Sequence, residues 1–285
     1  MVINKMFRDL NSHGYNTKNR FYTIAEIGIN HGGSLDKAFK LIDSAARTGV
    51  NSVKFQTYIT EKRVSKDSPI FDILKSCEIK MRDFELLKNH AHALGLDFFS
   101  TPFDDESVDC LLALDIPFYK IASFDVVNHS LLRKLSQQKK PIIMSTGMSN
   151  LSEVKTAVDI LGTNASITLL HCISAYPTLE IDSNLSVIDF LRDNFECVIG
   201  QSDHTPNTKT ALYAFLRGAQ VLEKHFKVDD DFECVDSVVS ITELQMKDLV
   251  EKLHEADQIL GDNSLCVTSA EKETLKYRRF SSIEQ

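Results

Sequence analysis

The sequence contains no apolar run that approaches the roughly 18 residues needed to span a bilayer. Its first twenty residues, MVINKMFRDLNSHGYNTKNR, lack an apolar core of signal-peptide length. It also has no C-x-x-C pair. The six cysteines, Cys77, Cys110, Cys172, Cys197, Cys234 and Cys266, are scattered along the chain, which excludes a disulfide framework and reads as reduced thiols of the cytoplasm. Positive charge is not in excess: 32 Lys and Arg against 40 Asp and Glu leave a formal charge of −8. This argues against a nucleic-acid partner, whose phosphates need a basic face. No Gly/Ser linker or break in composition divides the 285 residues, of which 43% are hydrophobic and 25% charged. A soluble cytoplasmic protein of one domain is expected, with a core large enough to need no staples.

After a polar lead, short runs rich in Ile, Val and Phe recur and read as buried strands: 22–29, 52–56, 97–100, 118–122, 141–145, 167–171, 197–200 and 221–225. Segments of helical spacing lie between them. Leu35, Ala38, Leu41, Ile42, Ala45 and Ala46 form one apolar stripe, and Val154, Ala157, Val158 and Leu161 another. Leu244, Met246, Leu249, Val250, Leu253 and Ile259 form the stripe of a last helix over 242–260. Eight strand–helix units predict an α/β fold, a (β/α)8 TIM barrel over residues 21–262. Residues 1–20 are read as an N-terminal extension and 263–285 as a charged tail that begins a helix. The segment 58–80 is too long for a tight loop and reads as a loop with a short helix over the barrel mouth.

In this fold active sites lie at the C-terminal strand ends. These ends carry Glu26, Asn30 and His31; Lys54 and Gln56; Ser100 and Thr101; Lys120 and Ser123; Ser145 and Thr146; His171; Ser202, Asp203 and His204; and Glu223, Lys224 and His225. Charged groups are costly to bury unpaired. Lys54 and Lys120, with Thr101, Ser123, Ser145 and Ser202, suit a phosphate and a carboxylate held together. For either lysine alone, a salt bridge to a strand-end carboxylate is the competing reading. His204 and His225 end neighbouring strands and can share one divalent ion, although a lone strand-end histidine is more often a core residue. Asp203 and Glu223 are expected to orient the two rings. His171 reads as a packed residue and Cys172 as structural. Gly28, Gly32 and Gly33 have the wrong spacing for a dinucleotide fingerprint and read as a tight turn.

Eight short motifs in register carry a resemblance: AEIGINHGG (25–33), VKFQ (53–56), STPFD (100–104), YKIAS (119–123), STGM (145–148), LLHCISAYPT (169–178), QSDHT (201–205) and EKHF (223–226). Together they resemble the barrel of the sialic-acid (N-acetylneuraminate) synthases, a family that includes legionaminic and pseudaminic acid synthases. The resemblance implies condensation of phosphoenolpyruvate with an N-acetyl-hexosamine aldehyde in carbohydrate biosynthesis, with release of phosphate and use of a divalent ion, usually manganese, with magnesium or cobalt as alternatives. It implies that His204 and His225 hold the metal. Lys54, Gln56, Thr101, Lys120, Ser123, Ser145 and Ser202 would hold phosphoenolpyruvate, and Glu26, Tyr176 and Asp236 would face the sugar.

The departures from the family cluster on the sugar side. Its PGPDH stretch is Glu233-Cys234-Val235-Asp236-Ser237, its asparagine two residues before Tyr176 is Ser174, and a glycine and glutamate are Phe124 and Asp125. Its small C-terminal antifreeze-like domain, which in relatives reaches the other subunit of a dimer, is expected to be missing. A homodimer is still expected, and a separate chain could supply that domain. Two rival readings remain: a Schiff-base aldolase using Lys120 or Lys54, and a non-catalytic sugar-binding barrel.

Overall fold

The computed structural model describes residues 7–162, 166–262 and 264–279. Eight parallel strands close into one barrel in sequence order. They are β1 (Tyr22–Gly28), β2 (Ser52–Thr57), β3 (Asp97–Pro102), β4 (Tyr119–Ile121), β5 (Ile142–Ser145), β6 (Ile167–Cys172), β7 (Val198–Asp203) and β8 (Val221–His225). The (β/α)8 barrel read from the sequence is therefore the fold. The helices are α1 (Leu35–Ala46), α2 (Thr60–Arg63), α3 (Phe71–Cys77), α4 (Phe84–Ala93), α5 (Asp105–Ala113), α6 (His129–Ser136), α7 (Leu151–Leu161), α8 (Val187–Asn194), α9 (Lys209–Leu216) and α10 (Glu243–Leu260). Among the described residues, no helix is long and apolar enough to cross a membrane, and all six cysteines are free.

Local chemistry fixes the helix boundaries. The Ser34 hydroxyl accepts from the Lys37 N–H and starts α1, which buries Ala38, Leu41, Ile42 and Ala45 against the sheet. Capping boxes open α7 (Asn150 with Glu153) and α10 (Thr242 with Gln245). Thr242 is thus the cap of the last helix rather than its first residue. That helix buries Met246, Leu249, Val250 and Leu253. Leu244 and Ile259, expected in the same stripe, are exposed, because they lie more than 100° off the buried face at 3.6 residues per turn.

Two regions differ from the sequence expectation. The segment after β2 carries two helices over the mouth, α2 and α3, rather than one. It is pinned by Tyr58 Oη donating to the Leu74 carbonyl (2.9 Å), by the Thr60 N–H and hydroxyl donating to Glu78 Oε2 (2.9 and 2.6 Å), and by the Ile59 N–H donating to Asp104 Oδ2 (2.8 Å). Gly33, at φ +75°, lies so close to this platform that a Cβ would sit 2.2 Å from the Ser76 carbonyl oxygen. The lead of 1–20 is not wholly outside the barrel, because Leu10 and Tyr15 are buried. Tyr15 closes the barrel floor. Its ring stacks on Phe118 at 4.7 Å and meets Tyr22 edge-on at 4.8 Å, and its hydroxyl donates to Thr168 Oγ1 at 2.7 Å. In the tail, Ser269–Tyr277 forms a 3-10 helix started by a Thr268–Glu271 capping box; residues 1–6 and 280–285 lie outside the described residues.

Replacing Tyr15 with Ala removes a buried aromatic and leaves the Thr168 hydroxyl without its partner, so a loss of about 3–5 kcal/mol is expected. Tyr15→Phe removes only the hydrogen bond, at about 1 kcal/mol. Urea midpoints of the two variants measure the difference, and a wild-type midpoint for Tyr15→Ala would show that the segment is no part of the core.

Candidate active site

Side chains alternate along a strand, so residues two apart share a face. Glu26, Lys54, Lys120 and Glu223 all project into the barrel at its C-terminal end, and each is almost fully buried. Lys54 Nζ lies 3.0 Å from Glu26 Oε2 and 3.5 Å from Glu223 Oε2, and it donates to Thr101 Oγ1 at 3.2 Å. Lys120 Nζ donates to Ser145 Oγ at 2.7 Å and to the Ile121 carbonyl at 2.9 Å, and lies 4.0 Å from Glu223 Oε1. Ser202 Oγ donates to Glu223 Oε1 at 2.8 Å. Each lysine is therefore paired with a carboxylate, as the competing reading has it, and both line a cavity of about 360 Å³ at the mouth.

The alternating charges set the protonation states. Burial raises Glu26 to about 7 against the pull of Lys54. Burial lowers Lys120 to about 8, with Glu223 opposing. For Lys54 burial acts downward, but Glu223 and Glu26 outweigh it and the pKa rises. For Glu223 burial acts upward, and Lys120 and Lys54 outweigh it. Glu223 is thus the fixed anion of the cluster, whereas Glu26 and Lys120 exchange protons near neutrality.

The second half of the cavity holds imidazoles. The His204 and His225 ring centroids are 5.3 Å apart, and Tyr176 stacks on His204 at 4.1 Å. His204 Nδ1 lies 2.8 Å from the Ile173 carbonyl. A carbonyl only accepts, so Nδ1 carries a hydrogen and Nε2 is the nitrogen left to face an ion. Burial, with His204 and Lys54 adding to it, holds His225 well below its ordinary pKa. Its Nδ1 is buried without a hydrogen bond and lies 3.5 Å from Asp236 Oδ2. For His204 burial acts downward, but the Cys172 thiol and the Ile173 carbonyl outweigh it and the pKa rises, so a divalent ion shared by His204 Nε2 and the unpartnered His225 nitrogen would compete with a proton on His204. Among the described residues no group of three His, Cys, Asp or Glu is gathered around one point, so such an ion would need oxygen from substrate or water.

Gly28, at φ +56°, interrupts the β1–β2 register just after Glu26. A Cβ there would lie 3.2 Å from Glu26 Oε1, 3.4 Å from Asp236 Oδ2 and 3.5 Å from Gln56 Nε2. The three polar side chains therefore converge on one point. Ser123 Oγ accepts from the Gly147 N–H at 3.0 Å, and a Cβ on Gly147 would meet both Ser123 and Ser174 hydroxyls. Ser174 itself lies behind Cys172 and is not among the cavity-lining residues.

Other assignments need correction. Asp203 orients no imidazole: it pairs with Lys224 at 3.0 Å and accepts from Thr205 and Thr210 on the outer face of the barrel. Glu223 serves the lysines rather than a ring. His171 packs outward, its Nε2 2.7 Å from the Ser183 carbonyl. Cys172, read as structural, lines the cavity with Sγ 3.8 Å from His204 Nδ1. Two further residues contribute: Asn30, a strand-end residue to which the sequence assigns no role, and Arg63, which it does not single out. Asn30 Oδ1 accepts from the Asp236 N–H at 2.8 Å while its Nδ2 donates to the Phe226 carbonyl and Ser240 Oγ, both at 2.9 Å, so it places Asp236. Arg63, the last residue of α2, lines the cavity and donates to Gln56 Oε1 at 2.9 Å.

Several known proteins are similar to this chain. The chain is 34% identical to the N,N'-diacetyllegionaminic acid synthase of Legionella pneumophila, over 90% of this chain and 80% of that one. It is 32% identical to a pseudaminic acid synthase of Campylobacter jejuni, over 94% and 82%. The crystal structure of N-acetylneuraminic acid synthetase from Leptospira borgpetersenii, solved with citrate, superposes with a TM-score of 0.87 at 36% identity, covering 90% of this chain and 91% of that one. These similar proteins are synthases of nonulosonic acids, which supports an enzyme of that type here. The family model for NeuB matches residues 41–264, and the chain belongs to the NeuB family.

Proposed function

We propose that this protein condenses phosphoenolpyruvate with the aldehyde of an N-acetylmannosamine-like amino sugar, giving a nonulosonic acid and inorganic phosphate. The observation that carries the reading is the buried pair of ammonium groups, Lys54 and Lys120, ringed by Thr101, Ser145 and Ser202 at the base of the cavity. Such a nest suits a small ligand with a phosphate and a carboxylate on adjacent atoms. Ser123 adds a hydroxyl at its edge. Gln56, which the resemblance gives to phosphoenolpyruvate, is bonded instead to Glu26 and Arg63, and is assigned here with Tyr176 and Asp236 to the acceptor.

In this reading C3 of phosphoenolpyruvate forms the new bond to the acceptor aldehyde carbon, whose oxygen gains a proton. Water adds at C2, losing a proton, and the C2–O bond to phosphate then breaks. Lys54 and Lys120 neutralise the phosphate and carboxylate throughout, in a dry and fixed environment. Glu26, poised near neutrality, holds or moves a proton at the water or at an acceptor hydroxyl. A divalent ion, manganese foremost, would be held by His204 and His225 and would polarise the aldehyde oxygen as a Lewis acid. A homodimer in the cytoplasm is part of the same proposal.

The lowered pKa of Lys120 favours one rival, in which this amine attacks a keto acid. Against it, Nζ is held by the Ile121 carbonyl and Ser145 and faces Glu223. Borohydride trapping of a pyruvate adduct, with activity surviving chelation, would decide for the aldolase.

Phosphate release from phosphoenolpyruvate with manganese and a panel of hexosamines tests the reaction itself. Lys54→Met and Lys120→Met are each expected to lower kcat/KM for phosphoenolpyruvate by about 100-fold or more. His204→Ala and His225→Ala are expected to abolish turnover and to lose bound manganese on equilibrium dialysis; near-normal rates in both would remove the metal from the mechanism. Free Lys120 loses its proton as pH rises through about 8, so kcat/KM for phosphoenolpyruvate should fall on the alkaline side of that value. Lys120→Arg should shift the fall upward, and a profile flat to pH 9.5 in wild type would rule Lys120 out as the cation bound.

A further inference from the structure

Arg63 is the cation of the cavity that has no counter-ion. Its guanidinium carbon sits 3.7 Å from the centroid of the Phe103 ring and 4.7 Å from that of Tyr58. Stacking on the two rings fixes the guanidinium plane. One N–H group donates to Gln56 Oε1, and among the described residues the guanidinium makes no other hydrogen bond and no ion pair. A guanidinium has five N–H donors, so most of them remain free on a group that lines the cavity. Burial works against its charge, and Tyr58, Asp125 and Asp236 offset this only in part.

The surroundings limit what could complete this site. Gln56 joins Arg63 to Glu26, its Nε2 lying 3.4 Å from Glu26 Oε1. Arg63 therefore belongs to the acceptor layer of Gln56 and Asp236, whereas the lysines with their hydroxyls form a separate nest below. Ile70 and Ile73, from the start of α3, supply the apolar wall beside it. A neutral hydroxyl or amide oxygen would take one N–H and leave the charge uncompensated. An oxyanion would take two N–H groups side by side and neutralise the charge in the same contact.

Resting on the synthase reading above, we infer that Arg63 is a specificity-determining residue that pairs with a carboxylate or phosphate carried by the acceptor sugar. Gln56 and the two aromatic rings hold the guanidinium ready for that group. The acceptor is then an anionic amino sugar, and its charge is read by the segment that roofs the mouth.

The test compares wild type and Arg63→Gln with manganese, phosphoenolpyruvate and three acceptors: N-acetylmannosamine, its 6-phosphate and its 6-carboxylate. Wild type should use one anionic acceptor with a kcat/KM at least about 10-fold above that of the neutral sugar. The better of the two identifies the oxyanion. In Arg63→Gln the acceptors should become equal, with KM for phosphoenolpyruvate unchanged. A wild-type preference for the neutral sugar, an unchanged ratio in the variant, or a raised KM for phosphoenolpyruvate with the ratio intact would each overturn the inference. No phosphate release from any pair would instead sink the synthase reading. Calorimetry with the 6-phosphate and the 6-carboxylate then judges Arg63 by itself: binding of either that is lost in Arg63→Gln upholds the oxyanion site, and equal binding in the variant, or binding of neither to wild type, rejects it.

Discussion

The site depends on four charges of alternating sign buried at one end of the barrel. A lone carboxylate or ammonium taken out of water costs several kcal/mol even after the protein relaxes. Glu26, Lys54, Glu223 and Lys120 avoid that cost only because each lies within 4.0 Å of an opposite charge. The pairing is incomplete by design of the geometry. Glu26 Oε2 and Glu223 Oε2 make no hydrogen bond in the protein, and Lys120 sits at the outer limit of ion-pair distance from Glu223. The lysines are held by carboxylates yet still lean toward the cavity, so an arriving anion meets cations already in position.

This balance divides the cavity into two layers with different degrees of finish. The lower layer is built from residues on the strands themselves, whose directions the sheet dictates. The upper layer comes from loops and short helices: Asp236 from the loop after β8, Tyr176 from the loop after β6 and Arg63 from α2. Each upper residue needs its own tether. Asn30 holds Asp236, Gln56 and two rings hold Arg63, and the His204 ring backs Tyr176. The departures from the sialic-acid synthase motifs fall in this upper layer, where a substitution alters one tether rather than the whole barrel.

The strands were legible because buried parallel strands read as unbroken apolar runs. The β7 run was read as ending at Gly200 but pairs on to Asp203, since polar residues at a strand end look like loop. The same polar stretch explains the misplaced carboxylates. Ser202 and His204 are two apart and point inward, so Asp203 between them must point out, and Lys224 between Glu223 and His225 must point out to meet it. Period-two reading along β7 and β8 would have separated them. Arg63 and Asn30 carry no such signal. One is a basic residue in a long connection and the other an asparagine after a strand, and only tertiary stacking and hydrogen bonds give them roles. Tyr15 lies in a polar stretch whose burial depends on a hole in the barrel floor that no local pattern announces.

That floor has a further consequence. With Tyr15 seated against Tyr22 and Phe118, aromatic side chains fill the end of the barrel away from the cavity. A ligand of the lysines is therefore exchanged on the side of the mouth, in a cavity that Tyr176, Arg63 and Asp236 also line.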